Sequence, residues 1–280
     1  MAMPGDTPGA AALLRPVPTA AQSSTRPVLA GPIRLGGEAG STLQLRIGHA
    51  SRGAGKLNED FYGIANPGAA AIAARGLALA VADGVSGDGG ARTAAETTVR
   101  SLLDDYYDTP EQWNIGRALD KVLRAINDWL VGENLRRPDG EGLVSTLSML
   151  LFKDAHYYLA HVGDTRVYRR RKTVLKQLTT DHTWPRRDMR HVLRRAVGLE
   201  THLIAQYGDG ELQEGDTFLI ASDGVWEVLG ERALHEALEP GVDPQAGADR
   251  LVQHSIDRQL QYMGRNDATA VIVRVEPVGG

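Results

Sequence analysis

The chain has 280 residues, a formal net charge of −4 and no cysteine. This length suits one large domain or two small ones, and a hydrophobic content of 42% is enough to bury a core. Without cysteine, the chain can form no disulfide, thiolate nucleophile or cysteine-bound zinc site, so any metal must be held by oxygen or imidazole. The mild acidity gives no reason to expect nucleic acid or an anionic membrane as a partner.

The first 40 residues are rich in Ala, Pro, Gly, Ser and Thr and show no sustained period. Such a segment buries too little surface to offset the entropy lost on ordering. We therefore predict a disordered N-terminal tail over residues 1–40 and one domain over residues 41–276. No apolar run approaches the roughly 20 residues that span a bilayer, and the N-terminus lacks the pattern of a secretory signal. We expect a cytoplasmic protein without a membrane partner.

In chain order, the first predicted strand covers residues 42–47, where apolar and polar side chains alternate. Residues 77–82 form a short apolar run that is typical of a buried strand. Two helices are predicted next, over residues 91–103 and 112–135. The second of them carries apolar residues at helical spacing, which indicates one buried face.

The second half of the chain changes to short strand candidates with brief links, a pattern typical of antiparallel hairpins. The predicted elements are strands over 145–152, 156–162, 166–170, 174–178, 217–221 and 268–275, and helices over 232–238 and 244–262. Because strands and helices are partly segregated, we predict an α+β fold rather than alternating parallel βαβ units.

Acidic residues mark the ends of the predicted strands. Asp83, Asp164 and Asp223 each follow an apolar run, and Asp267 comes just before the last strand. Carboxylates brought together from distant strand ends are the ligands that a hard divalent cation requires. Crowded carboxylates also repel one another, and a cation between them removes that cost. The pattern predicts a metal-dependent hydrolase, with ordinary Asp-Gly turns as the alternative reading of each motif taken singly.

These acidic segments resemble the motifs of the metal-dependent protein phosphatases, the protein phosphatase 2C family, and its bacterial serine/threonine branch looks closest. The matching segments are 58–60 (NED), 82–87 (ADGVSG), 162–166 (VGDTR), 178–182 (LTTDH), 221–226 (ASDGVW) and 266–269 (NDAT). They occur in the family's order within about residues 42–276. The resemblance implies a four-layer α-β-β-α sandwich, in which two mostly antiparallel sheets are flanked by helices, with metal ions in a cleft at one end.

The resemblance also implies ligands for two Mn²⁺ or Mg²⁺ ions. Asp83 would bridge both ions, and Asp223 and Asp267 would complete the protein ligands of the first. The carbonyl of Gly84 and the side chain of Glu59 would serve the second ion. Asp83 and Asp223 are thus the implied catalytic residues.

Two more acidic residues complete the implied site. Asp60 would act directly or through water, and Asp164 together with Asp223 resembles a weaker third metal site. The implied reaction is hydrolysis of phosphoserine or phosphothreonine in proteins by a metal-activated water. The implied partners are a phosphorylated protein substrate and a cognate bacterial serine/threonine kinase, for example one that regulates a secretion system.

The chain departs from the family pattern where substrate phosphate is bound. The usual Arg of the first motif is replaced by Gly55. We predict that Lys56 or Arg52 anchors the phosphate instead, although a Lys binds as a point charge without the bidentate geometry of Arg. The segment over residues 185–196 is also shorter than the flap of bacterial members.

A His that some relatives carry as a proposed general acid is Val85 here. His182 is a candidate for that role, and a structural hydrogen bond explains it equally well.

Several features keep other functions open. One is a basic stretch that contains Arg186, Arg187, Arg190, Arg194 and Arg195. This stretch could dock an acidic or phosphorylated protein, or it could be a solvated helix face. The rival to an enzyme is a catalytically silent module of the same fold that binds a partner protein, favoured by the missing Arg and opposed by the intact carboxylates. A metal-dependent nuclease is a third reading, and the absent basic groove argues against it.

Overall fold

A computed structural model gives the architecture of the chain. The described residues are 31–35, 43–55, 57–85, 90–137, 142–186, 188–189, 192–262 and 266–278. Most of the predicted tail over 1–40 lies outside the described residues, as do Lys56, Arg187 and Arg190.

The described part of the chain contains eleven strands and six helices. In chain order the strands are β1 (Ile33–Arg34), β2 (Leu43–Arg52), β3 (Asp60–Ile64), β4 (Leu77–Asp83), β5 (Leu147–Lys153), β6 (His156–Val162), β7 (Arg166–Arg171), β8 (Val174–Gln177), β9 (Gln206–Glu211), β10 (Thr217–Ala221) and β11 (Ala268–Pro277). The helices are α1 (Ala69–Arg75), α2 (Gly90–Tyr107), α3 (Ile115–Asn134), α4 (Asp223–Leu229), α5 (Glu231–Ala237) and α6 (Pro244–Tyr262). In this part of the chain, no helix combines the length and the apolar character that crossing a bilayer demands.

The strands form two sheets, and every described strand pairing is antiparallel. One sheet has the order β1-β2-β11-β10-β7-β8 and the other the order β3-β4-β5-β6-β9. An apolar core fills the space between the sheets. Helices α2 and α3 cover the outer face of the second sheet, and α4, α5 and α6 cover that of the first. The predicted four-layer α+β sandwich is confirmed.

The strand β4 shows how the sequence produces this layering. Its leucines and valine point into the core between the sheets, whereas its alanines point towards α2 and α3. Large side chains thus fill the space between two sheets, and small ones let helices approach the sheet closely. Because both faces of the strand are covered, its sequence is apolar throughout rather than alternating.

The strand β1 corrects the predicted tail boundary. Ile33 pairs with Leu45 of β2, and the neighbouring Leu35 is 2% exposed in the core between the sheets. The folded part of the chain therefore begins before residue 41. Burial of Leu35 and partial burial of Ile33 offset the entropy of ordering a segment that composition alone assigns to the tail.

The sequence prediction misses β1, β3, β9, α1 and α4. Strand β9 has the sequence QYGDGE and lacks an apolar run, while α1 and α4 have only seven residues each. The Asp-Gly pair at the start of α4 reads as a turn, although it opens a helix here. Short elements of this kind depend on tertiary contacts more than on local propensity.

Candidate metal centre and active site

The first two acidic motifs meet through the register of β3 and β4. Asp60, the first residue of β3, lies opposite Asp83, the last residue of β4. The backbone of Asp83 is fixed from its other side by Thr146, whose Oγ1 accepts from the Asp83 amide at 2.9 Å and whose amide donates to the Asp83 carbonyl at 2.8 Å. Two carboxyl groups are thereby held next to each other at the end of one sheet.

Asp60 is 1% exposed and has only one satisfied carboxyl oxygen. Ser222 donates its hydroxyl to Oδ2 of Asp60 at 2.7 Å. The other oxygen, Oδ1, is buried and has no hydrogen-bond partner among the described groups. Burial, with smaller contributions from the charges of Asp223 and Asp267, raises the pKa of Asp60 to about 7 against the opposing effect of the hydrogen bond from Ser222. An unpartnered buried carboxyl oxygen is costly unless a cation or water meets it.

The pKa of Asp83 is the most strongly raised among the acidic residues of the site. Burial raises its pKa well above the usual range, and the charges of Asp60, Asp223, Asp164 and Asp267 add to the rise in that order. All of these residues were predicted as metal ligands from the sequence. The fold therefore brings motifs from both sheets close enough for their charges to interact.

Asp223 begins α4 and is separated from the end of β10 only by Ser222. Burial raises its pKa to about 6, and its carboxyl group also accepts a hydrogen bond from the Asn266 side chain at 3.1 Å. The Asp83 and Asp223 carboxyl groups lie within hydrogen-bonding reach of each other. Gly224 permits this arrangement, because a Cβ at that position would collide with the carbonyl oxygen of Asp267.

Asp164 lies in the turn between β6 and β7, beside this group. Burial raises its pKa to about 7, with contributions from the charges of Asp223 and Asp181. The indole of Trp226 donates to the Asp164 carbonyl at 3.1 Å, and the Arg166 guanidinium stacks 3.3 Å from the centre of that ring. Arg166 is in turn held by both carboxyl oxygens of Asp181, at 2.9 and 2.6 Å. This network fixes the Asp164 turn against α4.

Asp267 points its carboxyl oxygens at the backbone of the first motif. Oδ1 accepts from the Ala54 amide at 2.8 Å and Oδ2 from the Glu59 amide at 2.5 Å. Burial, followed by the charge of Asp267, raises the pKa of Glu59. In this structure Asp267 thus positions the loop that carries Glu59, in addition to adding negative charge to the site.

Within the described residues, no three carboxylate or imidazole side chains form a complete metal-holding group on their own. Two observations indicate that this site suits a cation. Carboxyl groups with raised pKa values are crowded together, and the buried Oδ1 of Asp60 has no hydrogen-bond partner among the described groups. A divalent cation would relieve both costs, with backbone carbonyls or water supplying further ligands. The side chains that could contribute are all oxygen donors, as Mg²⁺ and Mn²⁺ prefer.

A family model described as Protein phosphatase 2C matches residues 47–261. The chain belongs to the protein phosphatase 2C family. Among curated relatives, "Serine/threonine phosphatase stp" of Listeria monocytogenes serotype 4b (strain F2365) is 27% identical over 216 residues, which cover 69% of this chain and 82% of that protein. PstP of Mycobacterium tuberculosis (strain CDC 1551 / Oshkosh) is 29% identical over 218 residues, which cover 70% of this chain and 40% of that longer protein.

Solved structures of the protein phosphatase 2C family share this fold. One is described as PppA, a key regulatory component of T6SS in Pseudomonas aeruginosa; it is 26% identical, with a TM-score of 0.68 over 82% of this chain and 97% of that chain. Another is the catalytic domain of PstP in complex with 2 manganese ions, 27% identical, with a TM-score of 0.68 over 84% of this chain and 100% of that chain. The predicted membership of a metal-dependent serine/threonine phosphatase family is confirmed.

The two predicted phosphate anchors of this phosphatase 2C chain have different outcomes. Lys56 lies outside the described residues. Arg52 belongs to the face of β2 that packs against α6, where its guanidinium donates to the Gln253 side chain at 2.7 Å. It lies on the outer, helical face of its sheet, so the structure does not support Arg52 as a phosphate anchor.

His182 is built into the protein rather than poised as an acid. Its Nδ1 accepts from the Gly163 amide at 3.2 Å, and its ring lies 4.9 Å from that of His161. Burial, together with the charges of Arg195 and Arg194, lowers the pKa of His182 to about 4. A neutral imidazole with this hydrogen bond supports the structural alternative and not the general acid.

A β-bridge between Thr183 and Leu193 lies in the region where the sequence predicts a shortened flap. Of the basic residues in this stretch, Arg186 pairs with Asp188 at 3.0 Å, with both side chains largely exposed. Arg187 and Arg190 lie outside the described residues. The surface therefore carries basic charge beside the turn of His182, and its docking role stays a prediction.

Sequence reasoning missed the residues that position the acids: Ser222, Thr146, Asn266 and Arg92. Ser222 and Asn266 lie inside the recognised motifs, so their neighbours could have drawn attention to them. Thr146 and Arg92 lie in no predicted acidic motif, and only the fold brings them to the site. Arg92 donates to the backbone carbonyls of Asn58 and Asp60.

The repulsion within the acidic group predicts an unusual stability effect. We expect Asp83→Asn to raise the melting temperature of the chelator-treated protein by a few degrees at about pH 8. The reason is that a group whose folded-state pKa is raised loses stability as the pH rises above its unfolded pKa, and Asn carries no such charge. Added Mn²⁺ should stabilise the wild type and leave the variant nearly unchanged.

Asp216→Asn is the matched control. Asp216 is buried, but both its oxygens accept from Arg171 at 2.7 Å. Removing one partner of such a pair is destabilising, so this variant should melt several degrees lower. An Asp83→Asn protein that also melts below the wild type in chelator would contradict the proposed crowding.

Proposed function

We propose that this protein is a protein serine/threonine phosphatase that hydrolyses phosphoserine or phosphothreonine at a centre of two Mn²⁺ or Mg²⁺ ions, with a weaker third site. The observation that carries this proposal is that Asp83 lies close enough to four other carboxyl groups for their charges to raise its pKa. These groups belong to Asp60, Asp164, Asp223 and Asp267. The similarity to a PstP catalytic domain in complex with 2 manganese ions supports the same conclusion.

In this proposal Asp83 and Asp223 are the central ligands, because their carboxyl groups lie within hydrogen-bonding reach of each other. Asp60 contributes its free Oδ1, while Ser222 occupies the other oxygen and fixes the orientation of the group. Asp164 serves the weaker third site from the turn that Trp226 anchors. When bound, the ions would lower the pKa of a water, which would supply the nucleophile for the phosphorus atom.

Glu59, the Gly84 carbonyl and Asp267 complete the proposed ligand set. Gly84 lies where α2 approaches β4, and a Cβ there would collide with the carbonyl oxygen of Ala91. Its amide donates to the Glu59 carbonyl at 3.3 Å, which ties the first two motifs together. Asp267 holds the Glu59 amide, so loss of this carboxylate would disturb the loop as well as a ligand.

Partners of the reaction follow from the same proposal. The substrate would be a phosphorylated protein, and the enzyme would oppose a cognate bacterial serine/threonine kinase. The similarity to PppA, described as a key regulatory component of T6SS in Pseudomonas aeruginosa, supports a regulatory role of this kind. The cytoplasmic location expected from the sequence stays a prediction.

The catalytically silent binding module is the rival hypothesis. It is favoured by Gly55, which stands where the family has its phosphate-binding Arg, and by the engagement of Arg52 with Gln253. It is opposed by the complete set of carboxyl groups, which a purely structural module does not require and which costs stability when no cation is present.

Hydrolysis of a phosphothreonine peptide, measured by phosphate release, separates these hypotheses. We expect turnover with Mn²⁺ or Mg²⁺ and none with chelator. Asp83→Asn and Asp223→Asn should lower kcat/KM by at least about 100-fold, since even outer-shell changes cost about 10–100-fold at metal sites. Asp209→Asn, the same change at an exposed position of β9, should behave as wild type. Chelator-resistant turnover, or wild-type rates for either site variant, would refute the proposal.

Lys56 remains the proposed phosphate anchor. We expect Lys56→Ala to raise the KM for the phosphopeptide by roughly tenfold, because a hydrogen bond to a charged group contributes about 1.5–3 kcal/mol and about 1.4 kcal/mol corresponds to tenfold. Arg52→Ala should change KM little, since that side chain lies against α6. The reverse result would show that Arg52 reaches the substrate and that Lys56 does not.

A further inference from the structure

Arg92, in the first turn of α2, reaches across to the loop that carries the first acidic motif. Its Nη1 donates to the Asn58 carbonyl at 2.9 Å and to the Asp60 carbonyl at 2.6 Å. These two carbonyls flank Glu59 on either side. A single guanidinium group from the second sheet's helical layer therefore bridges the whole Asn58–Asp60 segment.

The guanidinium is itself held in place by its neighbours. Its Cζ lies 4.8 Å from the centre of the Phe61 ring, and its Nε lies 3.7 Å from a carboxylate oxygen of Glu96, one helical turn further on. Arg100, another turn on, donates to Glu96 at 2.7 Å and stacks 5.2 Å from the same ring. Cation–π contact and the shared carboxylate together restrict the rotamers of Arg92.

With Arg92 in place, the backbone of the first motif has few free groups. The Glu59 carbonyl accepts from the Gly84 amide at 3.3 Å, and the Glu59 amide donates to Asp267 at 2.5 Å. The Asp60 amide donates to the side chain of Asn58 at 3.0 Å. Backbone fixation of this kind determines where the Glu59 and Asp60 side chains can point.

The choice of backbone carbonyls as acceptors matters for the acidic site. A positive side chain that paired with a carboxylate there would compete directly with a divalent cation. Arg92 instead brings its charge to the acidic loop while leaving the side-chain oxygens of Glu59 and Asp60 available, including the unpartnered Oδ1 of Asp60. It thus fixes the backbone of the loop without occupying a ligand.

We propose that Arg92 is a positioning residue that pre-arranges the Asn58–Asp60 loop for cation binding. This inference rests on the proposed function, because it takes Glu59 and Asp60 as cation ligands. Arg92 acts through these residues and does not touch the reacting atoms. Its loss should therefore weaken the affinity for Mn²⁺ more than the affinity for the phosphorylated substrate.

Three variants of the full chain test this role. Arg92→Gln removes the charge and the bridge, Arg92→Lys keeps the charge and can restore part of the carbonyl contacts, and Arg100→Gln is the matched control. Arg100 shares both Glu96 and Phe61 with Arg92, but within the described part of the chain it makes no hydrogen bond to the loop carbonyls. Thermal melting in chelator would check that all three variants fold.

The primary readout is Mn²⁺ binding by titration calorimetry without substrate. We expect Arg92→Gln to weaken binding by about 10–100-fold, the usual effect of losing an outer-shell partner, with Arg92→Lys intermediate and Arg100→Gln close to wild type. At saturating Mn²⁺ the KM for a phosphothreonine peptide should be nearly unchanged in Arg92→Gln, while the Mn²⁺ concentration for half-maximal activity rises in parallel with the binding constant.

Three outcomes would overturn the role of Arg92. They are wild-type Mn²⁺ binding by Arg92→Gln, an equal loss in Arg100→Gln, and a rise in substrate KM with unchanged Mn²⁺ binding. If Arg92→Gln fails to fold, Arg92→Lys decides by the same comparison. A wild-type protein that binds Mn²⁺ but releases no phosphate would refute the phosphatase proposal and leave the Arg92 inference standing.

Discussion

The mutual repulsion of buried carboxyl groups is the constraint on which this site depends. Antiparallel register places Asp60 against Asp83, and the start of α4 brings the Asp223 carboxyl group within hydrogen-bonding reach of Asp83. Water cannot fully solvate these charges, which is why burial is the largest cause of each raised pKa. The folded chain therefore stores an electrostatic cost at one end of the sandwich, and a divalent cation is the simplest species that removes it.

The surrounding fold holds the acidic residues in place and offsets their electrostatic repulsion. Ser222 holds one carboxyl oxygen of Asp60, and Thr146 fixes the backbone of Asp83, so the two acidic residues are kept in neighbouring positions. Gly84 and Gly224 allow α2 and the Asp267 backbone to approach more closely than any side chain would permit. The apolar core between the sheets and the alanine-rich helical interface supply the stability that offsets repulsion at the edge.

The sequence alone predicts the layered α+β fold and the acidic residues, because apolar periodicity and ordered motifs are local signals. Strands β6 and β10 and helix α6 lie at their predicted bounds, whereas β9 has no apolar run to reveal it. The partners of the acids are harder to predict. Arg92 acts through backbone carbonyls and Arg52 through Gln253, and such contacts depend on the packing of helices against sheets rather than on spacing along the chain.

The most direct test of this account is anomalous diffraction from crystals of the full chain soaked in Mn²⁺. We expect anomalous peaks in contact with the carboxylate oxygens of Asp83, Asp223 and Asp60, including the Oδ1 that is otherwise unpartnered. Crystals with saturating Mn²⁺ that show these carboxylates turned away from one another, and no anomalous peak between them, would contradict it.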